Sequence, residues 1–214
     1  MKQLIRQLVP PVLWTILSYI ARTISELVNR NRSFGANNLM FRKYAAKSLF
    51  YGEYGVGKST LWVLFHSKAK IKCVDSSEHW INKTRQQMNY SDRAEIRWID
   101  LGSLEAWGRP ADYSKRANFI EYAKVIWDDP SFNPDLVFID GRFRVSCFLF
   151  SVMSAAPGTR IIFDDYIHRP YYHVVEEFLK PIEICGPQAL FIVPEKLNRE
   201  KVAELFEKFI YVPD

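Results

Sequence analysis

From residue 46 onward, short apolar runs alternate with amphipathic segments, and five successive runs end in a carboxylate. "SLFYGE" ends at Glu53, "AKIKCVD" at Asp75, "AEIRWID" at Asp100, "PDLVFID" at Asp140 and "GTRIIFDD" at Asp164-Asp165. Runs of this kind, separated by stretches of helical period, read as strands of a mostly parallel sheet with helices on both faces. The intervening helices are expected in "STLWVLFHS", "SSEHWINKTRQQM" (with Ser76 or Ser77 as N-cap), "RANFIEYAKVIW" and "VSCFLFSVMSA". "PYYHVVEEFLK" is a further helix starting at Pro170, and "NREKVAELFEKF" is the last. "PIEIC" and "QALFIVP" pair antiparallel across Gly186-Pro187, which brings the expected sheet to seven strands. The fold class is therefore α/β, Rossmann-like and doubly wound, with an N-terminal helical extension.

The chain has 214 residues, 48% of them hydrophobic and 25% charged, as in a folded domain with an ample core. Cys73, Cys147 and Cys185 stand apart in or beside apolar runs, without zinc spacing, and read as reduced core residues of a cytoplasmic protein. The net charge of +5 is uneven: residues 1–47 carry eight basic residues and one acidic, or +7, which leaves −2 for the remainder.

Residues 1–45 read as a separate arm and 46–214 as the main domain. From Leu4 to Val28, apolar residues recur at helical spacing, interrupted by Pro10-Pro11. The uncharged stretch between Arg6 and Arg22 is too short to span a bilayer. The arm either packs on its own domain as a cap, or lies on a membrane surface with Trp14 and Tyr19 at the interface. Its basic charge suits an acidic partner or serves as a solubilising face; no specific nucleic acid is expected. Residues 30–38, "RNRSFGANN", read as a loop.

"GEYGVGKS", residues 52–59, satisfies two rules. Read from Gly52, it is the G-x-x-x-x-G-K-S loop that cradles phosphates, with Lys58 and Ser59 on phosphate and magnesium. Read from Glu53, it is an acidic strand end followed by Gly55-x-Gly57, as in folds that bind a nucleoside cofactor. The second rule also explains Asp75, a carboxylate able to hold both ribose hydroxyls, and Asp100, able to accept from an adenine amine. A phosphate loop has no use for Asp75, and Glu53 and Tyr54 would set an anion and a bulky ring against phosphate.

"EYGVGKSTLWV" followed by "IKCVDSSEHW" resembles the "E-x-G-x-G-x-S-T-L-W" and "V-(D/E)-x-x-x-x-W" pattern of one branch of the class I S-adenosylmethionine-dependent methyltransferases. The resemblance covers roughly residues 46–194. It implies that Gly55 and Gly57 pass beside the methionine part, Asp75 binds the ribose and Asp100 lies near the adenine. It further implies that Ser59 and Thr60 cap the first helix and reach the cofactor carboxylate. Glu53, Ser76, Trp80 and Asp140 complete the cofactor-binding set.

The same resemblance implies methyl transfer, with an oxygen on a small hydroxylated, sugar or glycolipid-type acceptor as the expected target. Asp140, Asp164 and Asp165 resemble the metal ligands of catechol-type O-methyltransferases and would suit magnesium or another divalent ion. Asp165 stands where that group has Asn. Without a metal, Asp140 and His168 are the candidate catalytic groups, His168 because imidazole titrates near neutrality. Arg142, Arg144 and Arg169 either bind an anionic acceptor or balance the aspartates. A binding protein that kept the fold without turnover is the remaining alternative to an enzyme.

Overall fold

The chain divides into two units, Met1–Ala36 and Asn37–Asp214. The computed structural model describes residues 38–88 and 91–214, all in the second unit. The expected amphipathic helix, its membrane contact and the loop at 30–37 lie outside the described residues. Among the described residues, no helix is long and apolar enough to cross a membrane.

A seven-stranded sheet is ordered β3-β2-β1-β4-β5-β7-β6. The parallel strands are β1 (Phe50–Tyr54), β2 (Lys70–Asp75), β3 (Ala94–Trp98), β4 (Leu136–Ile139) and β5 (Arg160–Phe163). β7 (Gln188–Ile192) runs antiparallel to β5, and β6 (Glu183–Cys185) antiparallel to β7 across the expected Gly186-Pro187 turn. All four residues of β4 are buried, as a central strand covered on both faces requires. Cys73 and Cys147 are buried free thiols, and Cys185 is half-buried.

Among the described residues, the α-helices are α1 (Leu39–Ala45), α2 (Lys58–His66), α3 (Glu78–Gln87), α4 (Phe119–Lys124), α5 (Arg144–Ser154) and α6 (Arg199–Phe209). Ser77 caps α3 by accepting from the Trp80 N–H at 3.4 Å, and Asn198 caps α6 through Lys201 N at 3.1 Å. The expected helix over 116–127 is three pieces: a 3₁₀ turn at Arg116–Asn118, α4, and a second 3₁₀ turn at Val125–Trp127. The segment Pro170–Glu177 is also 3₁₀. Its Tyr172 N–H donates to Arg169 O, three residues back, while the Tyr172 ring is buried beneath two guanidinium groups.

Helix α1 corrects the boundary drawn at residue 45. Phe41 is fully buried, with its ring 6.2 Å from Tyr51, 5.7 Å from Trp62 and 4.7 Å from Phe138. A ring enclosed by side chains from β1, α2 and β4 is part of the domain core, so Leu39–Ala45 belongs to the domain. Phe41→Ala should cost about 3–5 kcal/mol through lost burial and the cavity left behind. Urea unfolding followed by far-ultraviolet circular dichroism reads it; a loss below about 1 kcal/mol would show that α1 is dispensable.

Candidate active site

The chain enters the sheet at β1, works outward to β3, then returns to lay β4 against the other side of β1. The carboxyl ends of β1 and β4 therefore diverge at a switch point, where open α/β sheets take their ligands. Gly55 and Gly141 make the approach there. Gly55 has φ +95°, and a Cβ on it would lie 2.9 Å from the Asp140 carbonyl. A Cβ on Gly141 would lie 2.4 Å from the Tyr122 hydroxyl and 2.7 Å from Gly55 N. At Gly57, by contrast, a Cβ would meet nothing within 4 Å, so the backbone there faces open space.

Behind this loop, Glu53 is fully buried. Its carboxylate accepts from the Ser59 hydroxyl and, at 2.7 Å, from the Thr60 hydroxyl. Thr60 Oγ1 in turn accepts the Gly57 N–H at 3.0 Å. Glu53, Ser59 and Thr60 were expected to line the cofactor. The structure turns all three inward as a clamp that ties β1 to the first turn of α2. Lys58 alone of that turn is exposed. The phosphate-loop reading fails on this geometry, because the Ser59 hydroxyl is committed to a buried carboxylate.

Asp75 ends β2 with its carboxylate in the loop. One oxygen accepts Val56 N–H at 2.8 Å and the other Ser77 N–H at 2.7 Å. Burial raises its pKa, against the pull of these donors. Each oxygen keeps acceptor capacity for a hydroxyl. Ser76 is buried and donates to Gly108 O at 2.8 Å, so it anchors the loop after β3. Trp80 is exposed on the first turn of α3, with the Lys83 ammonium 4.5 Å from its ring centre. Asp100 accepts from Gly102 N at 2.9 Å and pairs with Lys115 at 3.2 Å; those contacts lower its pKa.

Asp140, Asp164 and Asp165 come together at the ends of β4 and β5, with carboxylate oxygens within 4.8 Å of one another. They are already paired. Arg144 sits 2.9 Å from Asp140 and 3.4 Å from Asp165, Arg169 2.9 Å from Asp165, and the Gln188 amide donates to Asp164 at 2.9 Å. A divalent ion bridging Asp140 and Asp165 would have to share them with the Arg144 cation, so the metal expectation is not supported. The Asp140 side chain is 41% accessible. Burial first, then the two neighbouring aspartates, push its carboxyl up to about 7 against the pull of Arg144. His168 is exposed on the turn after β5.

Among the described residues, Trp107, Phe143 and Asp165 are the non-glycines with left-handed φ, at 63°, 53° and 57°. All three lie in loops that follow the carboxyl ends of strands, and such strain collects at functional sites. Gln188, Tyr122 and Asp214 were not singled out from the sequence. Asp214 accepts the Arg144 N–H at 3.1 Å, and its backbone oxygen accepts from Arg142. The pairing of the aspartates did carry a sequence signal: Asp140-x-x-x-Arg144 and Asp165-x-x-x-Arg169 repeat one spacing.

The chain is similar to a methyltransferase-like protein from Silicibacter pomeroyi DSS-3, at 29% identity and a TM-score of 0.72, over 80% of this chain and 91% of that one. The chain has the Rossmann-like fold of the class I S-adenosylmethionine-dependent methyltransferases. A methyltransferase from Geobacter sulfurreducens shares the superfamily fold at 13% identity and a TM-score of 0.51, over 88% of this chain and 98% of that one. No family model and no curated protein matches the sequence.

The clamp gives a pH dependence with a definite sign. Burial raises the Glu53 carboxyl from 4.5 to about 8. Between those values the unfolded chain has released this proton and the folded chain has kept it. Stability from this group is therefore fully present below pH 4.5, and is lost as pH rises toward 8. The slope is at most about 1.4 kcal/mol per pH unit. Glu53→Gln should flatten that part of the decline in urea midpoints; an unchanged slope would mean that Glu53 is ionised in the fold.

Proposed function

We propose that the protein is an S-adenosylmethionine-dependent methyltransferase acting on an oxygen of a small hydroxylated, sugar or glycolipid-type acceptor. The observation that carries the reading is the open backbone at Gly57 beside the Asp75 carboxylate, at the switch point of a sheet with the superfamily's fold. These residues fit the cofactor: Gly55 and Gly57 would admit its chain, and Asp75 its ribose hydroxyls.

S-adenosylmethionine supplies an activated methyl group on a sulfonium, with its leaving group built in. The protein's share is alignment and proton removal. The β4 turn, held by Gly55 against Gly141, fixes the backbone from which Asp140 projects. With its carboxyl pushed up to about 7, Asp140 is matched to accept a hydroxyl proton near neutrality. His168, exposed on the neighbouring turn, is assigned to acceptor contact in this reading.

A thermal-shift screen tests the cofactor. S-adenosylmethionine or S-adenosylhomocysteine should stabilise the protein by about 2.7 kcal/mol at a hundredfold excess over Kd, and ATP or GTP with magnesium should not. Asp75→Ala should weaken cofactor binding by about 1.5–3 kcal/mol in calorimetry. Lys58→Ala should leave it within about twofold, since exposed charges contribute little. Stabilisation by nucleoside triphosphates alone would defeat the reading. Transfer of a labelled methyl group to hydroxylated acceptors then separates an enzyme from a binding protein.

A further inference from the structure

One arginine is packed against the three aspartates. The Arg144 side chain is 3% exposed at the start of α5, between the ends of β4 and β5. Its Nε donates to Gly141 O at 3.0 Å. One terminal nitrogen donates to Asp164 O at 2.9 Å and to Asp165 Oδ2 at 3.4 Å. The other lies 3.4 Å from Asp140 O and 2.9 Å from Asp140 Oδ1. Those are five oxygen acceptors for the five N–H donors that a guanidinium carries. The Tyr172 ring lies 6.0 Å from its central carbon.

We propose that Arg144 is a resident cation, which bridges the Asp140 and Asp165 carboxylates in place of a divalent ion and makes the site metal-independent. Only the role given to Asp140 in proton removal rests on the methyltransferase reading; the exclusion of an ion stands on the guanidinium geometry. A magnesium or calcium ion binds through carboxylate oxygens held within about 2.0–2.6 Å of it. To bridge Asp140 and Asp165 here it would have to sit against the buried Arg144 guanidinium or displace it from both carboxylates, which sets a dication beside a cation and costs more than a weak oxygen site returns. Arg169 adds a second guanidinium on Asp165, and Gln188 an amide donor on Asp164.

The same logic predicts what removing the guanidinium would do. Asp140, Asp164 and Asp165 would keep their close spacing with only Arg169 as a cationic partner, and that oxygen set would recruit a hard divalent ion. A methionine at 144 roughly fills the volume without charge or donors. A lysine keeps the charge but offers three donors from a single point, so it cannot reproduce the five contacts.

The test uses the full chain after dialysis against EDTA. Manganese is titrated by electron paramagnetic resonance up to about 1 mM, the range of weak oxygen sites. The wild-type protein should leave the ion free, and magnesium should not move its melting temperature. Arg144→Met should bind one manganese ion, and Asp165→Asn in that background should abolish the binding. Stoichiometric binding by the wild type, lost in Asp165→Asn, would overturn the proposal. So would a folded Arg144→Met that leaves the ion free. If Arg144→Met does not fold, Arg144→Lys and the wild-type titration decide, both expected to leave the ion free. Cofactor binding is read separately by thermal shift, so its failure would count against the methyltransferase reading and leave the ion result standing.

Discussion

Two backbones in contact determine the rest of this domain. The turns after β1 and β4 approach until Gly55 and Gly141 leave no room for a Cβ on either. That approach brings the carbonyl of Asp140 onto the β1 loop and fixes where its carboxylate stands relative to Gly57. Tyr122 seals the contact from α4: its hydroxyl accepts the Arg142 N–H at 3.2 Å, and its ring stacks 6.2 Å from Tyr54. A larger residue at either glycine would separate the halves of the sheet at the point where they have to share a ligand.

Around this contact the structure handles its strand-end acids in three ways. Glu53 is given hydroxyl donors, and burial still raises its pKa. Asp75 is given backbone amides, which leave it acceptor capacity toward the cleft. Asp140, Asp164 and Asp165 are given guanidinium and amide groups. The first solution is structural, the second suits a neutral polyol, and the third suits proton transfer next to a fixed positive charge. The chemical difference among the strand-end carboxylates lies in their donors.

Much of this was legible in the sequence. The alternation of apolar runs and helical segments fixed the strands, because a run such as "LVFI" can be buried on both faces only in a central strand. The Gly186-Pro187 turn signalled the antiparallel pair. Side-chain direction was not legible: a motif names Glu53, Ser59 and Thr60, but whether they face a ligand or each other depends on how α2 leaves the loop. The position of α1 was hidden for a similar reason, since seven residues with one decisive ring carry little periodic signal. The 3₁₀ segment at Pro170–Glu177 follows from tertiary contacts of Tyr172, which local pattern does not encode.

The Glu53 clamp also bears on how a ligand would be received. Strand β1 and helix α2 are joined beneath the loop by side chains that a ligand would never touch, so the curvature of residues 55–57 is set before anything arrives. A loop shaped in advance does not have to be ordered by its guest, and the guest keeps the binding energy that ordering would have consumed. The burden of preorganisation falls on folding instead, where it is carried once by a buried acid and two hydroxyls.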